Sequence, residues 1–156
     1  MANWYAGCII YRTNSDKVEF LVIDTRSLHP SFKGRSKLQT KFVGGTEDGY
    51  LGVDKNVVGT RDRELFEETN MRIGGGYNPT VVHQENLPGH FKVFYVIPFE
   101  VLEGNIREEV KEVDLDWMSA PYWLDRHALA HVLYRSHQSA FMKALEYIEM
   151  QTMGAT

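Results

Sequence analysis

The stretch RELFEETN at residues 63–70 holds three glutamates within five positions, directly after an arginine. Successive residues of an α-helix turn by about 100°, so Glu64, Glu67 and Glu68 would cover about a third of its circumference. Carboxylates one turn apart repel each other by about 0.2–0.5 kcal/mol. The stretch therefore predicts either a solvated acidic helix face or a binding site for a hard divalent cation, which prefers carboxylate oxygens.

The residue in front of the glutamates, Arg63, bears on both interpretations. It lies four residues before Glu67, so the two can form an ion pair and leave the other carboxylates free. Composition alone favours the solvated face, because glutamate-rich surface helices are common. A Mg²⁺ ion uses a few carboxylates together with substrate phosphates and water, and the surrounding sequence favours this second interpretation.

The surrounding residues resemble the Nudix box, in which a glycine and a glutamate precede Arg-Glu-U-x-Glu-Glu-x-Gly-U, where U is aliphatic. The residues that match its second half are Arg63, Glu64, Leu65, Glu67, Glu68 and Met71. Asn70 stands where the family has glycine, and asparagine also adopts the left-handed conformation that ends a helix. Upstream, FVGG at residues 42–45 resembles the family's Phe-Pro-Gly-Gly turn.

The first half of the box departs from the pattern. Seventeen residues separate Gly45 from Arg63, more than the pattern allows, and Lys55 occupies the register position of the first glutamate. Asp54 and Glu47 are nearby acids, but neither is in register. The sequence leaves open which residue replaces that glutamate.

The resemblance implies an activity and a set of site residues. Members of the family hydrolyse a phosphoanhydride bond in a nucleoside diphosphate linked to another group, with Mg²⁺ or sometimes Mn²⁺ as cofactor. By resemblance, Glu64, Glu67 and Glu68 bind the metal together with the carbonyl oxygen of Gly44. Arg63 would orient a carboxylate in this catalytic site rather than contact the substrate.

One further carboxylate is expected from a late loop, as metal ligand or general base. Residues 100–116 contain seven acids and two bases, most of them expected in solvent. Glu112 and Asp116 are the candidates because they directly precede the strand around Trp117. Glu112 is preferred because its longer side chain reaches further.

A basic segment leads into the glycine pair. Residues 25–46 contain no acid and five basic residues, which are Arg26, Lys33, Arg35, Lys37 and Lys41. Such a run is ordinarily a solvated loop. Because it ends at Gly44 and Gly45, beside the expected metal site, we predict that Arg35 or Lys41 contacts a substrate phosphate next to Gly45.

The elements that would position these residues begin with strands. WYAGCIIY (4–11) and VEFLVID (18–24) are β-rich runs around the turn-like RTNSD (12–16), which predicts a hairpin. LQTKFV (38–43) predicts a further strand that ends at the glycine pair, and residues 54–69 then predict a helix.

Caps and apolar spacing define this helix further. Asp54 or Asn56 is expected as its N-cap. Val58 and Leu65, seven residues apart, are expected on its buried side. Asn70 is expected to end it.

The second half of the chain predicts more strands and a terminal helix. TVVHQE (80–85), HFKVFYVIPFEV (90–101) and VDLDWM (113–118) predict strands, whereas residues from Pro121 onward predict helix. The apolar stripe of the terminal helix consists of Phe141, Leu145 and Ile148. Strands on both sides of a central helix predict an α/β fold, and the resemblance implies the Nudix-type α/β/α sandwich with a central mixed sheet.

Composition narrows the function classes. The 156 residues are 43% hydrophobic and 24% charged, with a formal net charge of −4. These values predict a single domain over residues 1–156 and argue against non-specific nucleic-acid binding. No disulfide framework is possible with Cys8 alone. Because the sequence lacks a signal peptide and an apolar run long enough to span a bilayer, we expect a cytoplasmic protein without a membrane partner.

Alternatives to a small-molecule hydrolase stay open. The disrupted first half of the box would suit a Nudix-like module that binds a nucleotide or a partner without turnover, although such a module has no reason to keep three repelling glutamates. An RNA 5′ end would share the chemistry but needs a broader basic surface. A homodimer is expected because dimers are frequent among relatives. The aromatic candidates for base stacking are Tyr5, Phe32, Tyr50, Tyr95, Trp123 and Tyr134.

Overall fold

The computed structural model describes residues 3–27, 37–47, 56–113 and 116–154. The strands are β1 (Asn3–Asn14), β2 (Lys17–Ser27), β3 (Gln39–Thr46), β4 (Arg72–Ile73), β5 (Thr80–Leu87), β6 (His90–Pro98), β7 (Leu102–Glu103), β8 (Lys111–Val113), β9 (Asp116–Met118) and β10 (Tyr122–Asp125). The helices are α1 (Val57–Thr69), α2 (Arg126–Val132) and α3 (Gln138–Gly154). The predictions for Arg35, Asp54 and Lys55 lie outside the described residues.

The predicted hairpin is formed by β1 and β2. Its turn consists of Ser15 and Asp16 alone, both with positive φ, 49° and 70°. Two-residue turns with this backbone match the right-handed twist of the strands that they join. The strands therefore extend further than the sequence predicted, and the turn is shorter than 12–16.

Eight strands form one mixed sheet in the order β5-β6-β1-β3-β2-β9-β8, with β10 also paired to β2. The central strand β1 has β6 parallel along one edge. Along its other edge it pairs antiparallel with β3 near its start and with β2 near its end. This mixed sheet confirms the predicted fold class, and the divergence of β3 and β2 from β1 opens one end of the sheet.

Alternating side chains of the central strands fill two hydrophobic clusters. Ile9 belongs to the cluster that contains Leu129 of α2 and Phe141 of α3. Its neighbour Ile10 belongs to the cluster that contains Leu65 of α1. Because successive side chains of a strand point to opposite faces, α1 covers one face of the sheet, and α2 and α3 cover the other.

Both ends of α1 are capped as predicted. The side-chain oxygen of Asn56 accepts a hydrogen bond of 2.8 Å from the backbone N–H of Gly59. At the other end Asn70 adopts the left-handed conformation, with φ of 68°, and its N–H donates to the carbonyl of Phe66. The sequence around the glutamates therefore specifies where this helix starts and stops.

The buried face of α1 differs from the prediction at one residue. Leu65 is fully buried, but Val58 is 41% exposed. The indole N–H of Trp4 donates a 2.8 Å hydrogen bond to the hydroxyl of Thr60, so the first turn faces β1 through Thr60. The prediction for Val58 was wrong because this polar contact sets the orientation of the turn.

Two predicted elements near the C-terminus were also wrong. Residues 113–118 do not form one strand, because β8 and β9 pair with each other as an antiparallel hairpin. Pro121 does not open a helix: β10 follows it and pairs with β2, as its aromatic and aliphatic residues favour. The helix α2 begins only after Asp125, whose carboxylate accepts from the N–H of Ala128 at 2.9 Å.

Three smaller features complete the architecture. The strand β3 continues through its glycines to Thr46, beyond the predicted end. The strand β6 ends at Pro98, because proline has no N–H to donate to a ladder. The short strands β4 and β7 pair in a separate sheet. None of the helices in the described ranges is long and apolar enough to cross a membrane.

Candidate active site

A cleft of about 620 Å³ lies at the opened end of the sheet, between α1, β3, the end of β2 and β9. Its acidic lining comes from Glu64 and Glu68 on α1 and from Asp116 on β9. Its basic lining consists of Arg26, Lys37 and Lys41. The cleft therefore combines carboxylates with cationic side chains, an arrangement that suits an anionic ligand bound together with a metal cation.

Gly44 connects the floor of the cleft to Glu68. Its backbone N–H donates a 2.6 Å hydrogen bond to Oε1 of Glu68. A Cβ atom at this position would lie 2.5 Å from the carbonyl oxygen of Ala6, and the φ of 154° is one that L residues rarely adopt. Glycine is thus required at position 44, and it fixes the carboxylate of a buried glutamate.

Gly45 has the corresponding relation to Glu64. A methyl group on Gly45 would overlap the carboxylate of Glu64, because that carboxylate packs directly on the glycine. The two glycines of FVGG therefore allow two glutamates from the next helix to lie against the backbone of β3. This close packing gives a physical reason for the glycine pair that the sequence places before the glutamate helix.

Burial perturbs both carboxyl groups. It raises the pKa of Glu68 to about 8, and the nearby Glu64 adds to the rise, while Lys41 and the N–H of Gly44 oppose it. Burial also raises the pKa of Glu64, against the effect of Arg63. A cation between these groups would offset both the desolvation and their mutual repulsion.

The third glutamate of the trio occupies a different environment. Glu67 does not belong to the lining of the cleft; its carboxylate lies 3.1 Å from Nη1 of Arg63, and its side chain is 48% exposed. The same guanidinium nitrogen is 3.1 Å from Glu64, and another nitrogen of Arg63 donates to the carbonyl of Thr46. Arg63 therefore bridges two of the glutamates, as an orienting residue would.

The donor set can be compared with what Mg²⁺ requires. Across the described ranges, no group of three or more His, Cys, Asp or Glu side chains is close enough to hold a metal ion. Mg²⁺ is commonly held by one or two carboxylates, with substrate phosphates and water as its other ligands. Glu64 and Glu68 provide two such carboxylates beside basic side chains, so the residues fit this mode of binding, with Glu67 as an additional ligand only after it moves.

The two candidates for a late carboxylate differ in position. Asp116 lines the cleft, whereas Glu112 is exposed and does not line it. The hairpin pairs Glu112 with Trp117, which places it on β8, one strand further from β2. The structure therefore brings Asp116, rather than the preferred Glu112, to the glutamates of α1.

The basic segment contributes to the cleft in part. Lys41 lies on its wall close enough to Glu68 to lower the pKa of that carboxyl. Gly45 lies on the floor, and Arg35 falls outside the described residues. A contact between Lys41 and a substrate phosphate stays a prediction that the position of this lysine supports.

Three functional candidates were not singled out from the sequence or were left among many. Trp117 and Met118 supply an apolar part of the wall, on the strand that also carries Asp116. Tyr5 is one of six aromatic candidates, and only the pairing of β1 with β3 places it in the cleft. Its position depends on contacts between distant parts of the chain, which no local pattern contains.

Tyr5 is in turn held by a buried histidine. Nδ1 of His137 accepts from the backbone N–H of Phe42 at 3.2 Å, so a neutral ring carries its proton on Nε2 and donates it to the Tyr5 oxygen 3.2 Å away. Burial lowers the pKa of His137 to about 3, and Lys41 and Lys92 add to the effect. The tyrosine hydroxyl proton is thereby left to point elsewhere, on the side of the cleft.

The architecture is similar to that of several solved proteins, although no protein-family model and no curated protein matches the sequence. The NUDIX domain of Shewanella oneidensis NrtR, complexed with ADP ribose, has 17% identity over 95% of this chain and 89% of that chain, with a TM-score of 0.66. A mutT/nudix family protein from Listeria innocua has 16% identity over 97% and 96%, with a TM-score of 0.62. A C. elegans Ap4A hydrolase binary complex has 15% identity over 94% and 97%, with a TM-score of 0.54.

Identities this low establish the fold alone. The molecule is an α/β protein with a carboxylate-lined cleft at the end of a mixed sheet. Its fold is the Nudix fold, as the resemblance of its glutamate helix implied.

Proposed function

We propose that the protein is a nucleotide pyrophosphohydrolase that uses Mg²⁺ or Mn²⁺. Its substrate would be a nucleoside diphosphate linked to another group. The observation that carries the proposal is the position of Glu64 and Glu68 on the glycine pair, inside a cleft whose other wall is basic. Carboxylates alone would suit a cation and basic groups alone an anion, whereas both in one cleft suit a polyphosphate with its metal.

Each side chain in the cleft has a role in this proposal. Glu64 and Glu68 would hold the metal with the carbonyl oxygen of Gly44, joined by Glu67 as the resemblance implies. When bound, Mg²⁺ neutralises phosphate charge and acidifies water. Lys41 would bind a phosphate oxygen, and Asp116 would accept the proton of the attacking water. The water oxygen bonds to one phosphorus, and the bond from that phosphorus to the bridging oxygen breaks.

The substrate class agrees with the names of two similar structures. One of them is complexed with ADP ribose, and another is an Ap4A hydrolase. Both nucleotides contain phosphoanhydride bonds. The indole of Trp117, on the opposite wall from α1, would pack against the base or sugar of such a nucleotide.

Binding without turnover is a second candidate function. Glu67 contacts Arg63 on the surface instead of lining the cleft, so one of the three family ligands is displaced from the others. A module that only binds a nucleotide would tolerate this arrangement. The two functions predict the same ligand and differ in whether products form.

One assay separates the two functions. Purified protein with Mg²⁺ or Mn²⁺ is incubated with nucleoside triphosphates, nucleotide sugars, ADP ribose, dinucleoside polyphosphates and capped RNA. We expect hydrolysis of at least one of them, and a loss of about 100-fold or more in Glu68→Gln, in which the amide oxygen still accepts from Gly44. Glu146→Gln, on the exposed side of α3, is the matched control and should retain activity. Binding of a nucleotide without product in every case would favour the module.

A further inference from the structure

The end of α1 that carries the glutamates has no cation of its own. The last turn of this helix contains no basic residue, although its terminal carbonyl groups lack helical partners and the helix dipole favours positive charge there. Two cations from a distant segment occupy this end instead. Lys111 donates to the carbonyl of Glu67 at 2.8 Å, and Arg107 contacts the carbonyl of Glu68.

The contact of Arg107 with Glu68 uses two nitrogens of the guanidinium. Nε donates to the carbonyl oxygen of Glu68 at 3.0 Å, and Nη2 donates to the same oxygen at 2.8 Å. The backbone N–H of Arg107 also donates to the carbonyl of Thr69 at 2.8 Å. The last turn of α1 is therefore joined to residue 107 by three hydrogen bonds.

The same guanidinium reaches the opposite wall of the cleft. Nη2 of Arg107 donates to the carbonyl oxygen of Ser119 at 2.9 Å, directly after the strand that carries Asp116 and Trp117. Nη1 donates to the carbonyl of Glu109. One planar group thus connects the helix that provides two acids of the cleft with the strand that provides the third.

Ser119 is itself fixed to the central sheet. Its N–H donates to the carbonyl of Asp24 at 2.8 Å, and its hydroxyl accepts from the N–H of Asp24 at 2.9 Å. The carboxylate of Asp24 in turn accepts from Thr40 at 2.7 Å and from Tyr122 at 2.6 Å. The bridge from α1 therefore ends on a rigid part of the sheet.

We propose that Arg107 is a positioning residue for the cleft: its guanidinium holds the glutamate end of α1 at a fixed distance from β9. The cation and the substrate phosphates would bind between these two walls, so this inference rests on the proposed function. Arg107 contacts neither of them. It acts through the carbonyl oxygens of Glu68 and Ser119.

The geometry requires arginine rather than positive charge alone. A guanidinium presents its N–H groups in a fixed plane and can serve both carbonyls at once, whereas an ammonium is a single compact charge on a flexible stem. Arg107→Lys keeps the favourable charge at the helix end and removes the bridge. Arg107→Gln removes both. Comparison of the two variants separates the bridge from the helix dipole.

The experiment measures metal affinity and backbone protection as well as turnover. Free Mn²⁺ is titrated by electron paramagnetic resonance with wild type, both Arg107 variants and two controls. Arg126→Gln removes an arginine whose ion pair is exposed. Phe141→Leu lowers thermal stability from the opposite face of the sheet, where Phe141 is buried. Hydrogen exchange is followed at residues 66–71 and 116–119.

We expect both Arg107 variants to weaken Mn²⁺ binding by about tenfold and to speed hydrogen exchange in both segments. The two controls should bind Mn²⁺ as wild type does, even though Phe141→Leu is less stable. Wild-type affinity in Arg107→Lys would overturn the bridge, because charge alone would then suffice. Wild-type affinity in both variants would also overturn it.

Failure of the bridge can be distinguished from failure of the proposed function. A wild-type protein that hydrolyses no nucleotide but loses Mn²⁺ affinity in both Arg107 variants would refute the hydrolase and support the bridge. A wild-type protein that hydrolyses a nucleotide, with Arg107→Lys equal to it in every measurement, would refute the bridge alone. A wild type that binds no Mn²⁺ would overturn both.

Discussion

The backbone N–H of Gly44 donates a 2.6 Å hydrogen bond to the buried carboxylate of Glu68, across 24 positions of sequence. The neighbouring Gly45 supports the carboxylate of Glu64 by having no side chain. Two carboxylates are thereby held against one turn of backbone, where their charges are close and poorly solvated. This arrangement is unfavourable without a cation and is the basis of the predictions that follow.

Gly45→Ala should displace Glu64 because the added methyl group would overlap its carboxylate. We expect a loss of about 1–3 kcal/mol in the free energy of unfolding, together with a large loss of turnover. Gly75→Ala is the matched control, since no atom lies within 4 Å of the methyl group that it adds. Urea unfolding and the hydrolysis assay measure both effects. Full activity in Gly45→Ala would show that the position of Glu64 is unimportant.

Asp116→Asn should reduce kcat far more than Glu112→Gln. Only Asp116 lines the cleft, where it can accept a proton from water, and loss of such a group costs about 100-fold or more. Glu112→Gln should stay within about twofold of wild type, because an exposed side chain away from the reacting groups contributes little. Steady-state kinetics on the best substrate of the panel decide between them. The reverse order of effects would restore Glu112 as the catalytic carboxylate.

Lys41→Ala should raise KM for a polyphosphate substrate by about tenfold, because a charge-assisted hydrogen bond contributes about 1.5–3 kcal/mol. The effect should shrink at high salt, which screens partly exposed charges. Lys143→Ala removes an exposed lysine, 3.6 Å from Glu146 on α3, and should leave KM unchanged. An unchanged KM in Lys41→Ala would place the phosphates elsewhere.

His137 should make the folded protein sensitive to acid. Burial lowers its pKa to about 3, whereas the unfolded chain binds a proton below about 6.5. The unfolded state therefore holds more protons between these values, and the free energy of unfolding falls as the pH falls, by up to about 1.4 kcal/mol per unit. Urea unfolding at pH 7.0, 5.5 and 4.5 measures this slope.

Two variants test whether this slope belongs to His137. His137→Gln keeps an oxygen that can accept from the N–H of Phe42 and removes the titrating group, so its stability should depend less on pH. His131→Gln, on the exposed side of α2, should keep the wild-type slope. An unchanged slope in His137→Gln would assign the acid sensitivity to other groups.

Local signals in the sequence were sufficient for the parts of the fold near the glutamates. Asn56 and Asn70 cap α1 because their side-chain and backbone preferences act within one turn. The hairpin of β1 and β2 and the glycine pair follow from similarly local chemistry. Residues 113–118 were taken as one strand because pairing with a neighbouring strand, and not composition, determines where β8 and β9 divide.

The rest of the site depends on contacts between distant residues. Asp116 rather than Glu112 faces the cleft because β9 pairs with β2, a partner about 90 positions earlier in the sequence. Arg107 appeared as one of two bases in an acidic loop, and its contact with Glu68 spans 39 positions. Side-chain length and local charge contain no information about such partners, so the sequence predicted the glutamates and not the residues that position them.

The location of the bound metal tests the account most directly. A crystal soaked with Mn²⁺ and a non-hydrolysable analogue of the best nucleotide would show the metal by its anomalous scattering. We expect a peak inside the cleft at about 2.0–2.3 Å from carboxylate oxygens of Glu64 and Glu68, with phosphate oxygens on its other side. A nucleotide bound in that cleft with no metal peak at these two carboxylates would contradict the account.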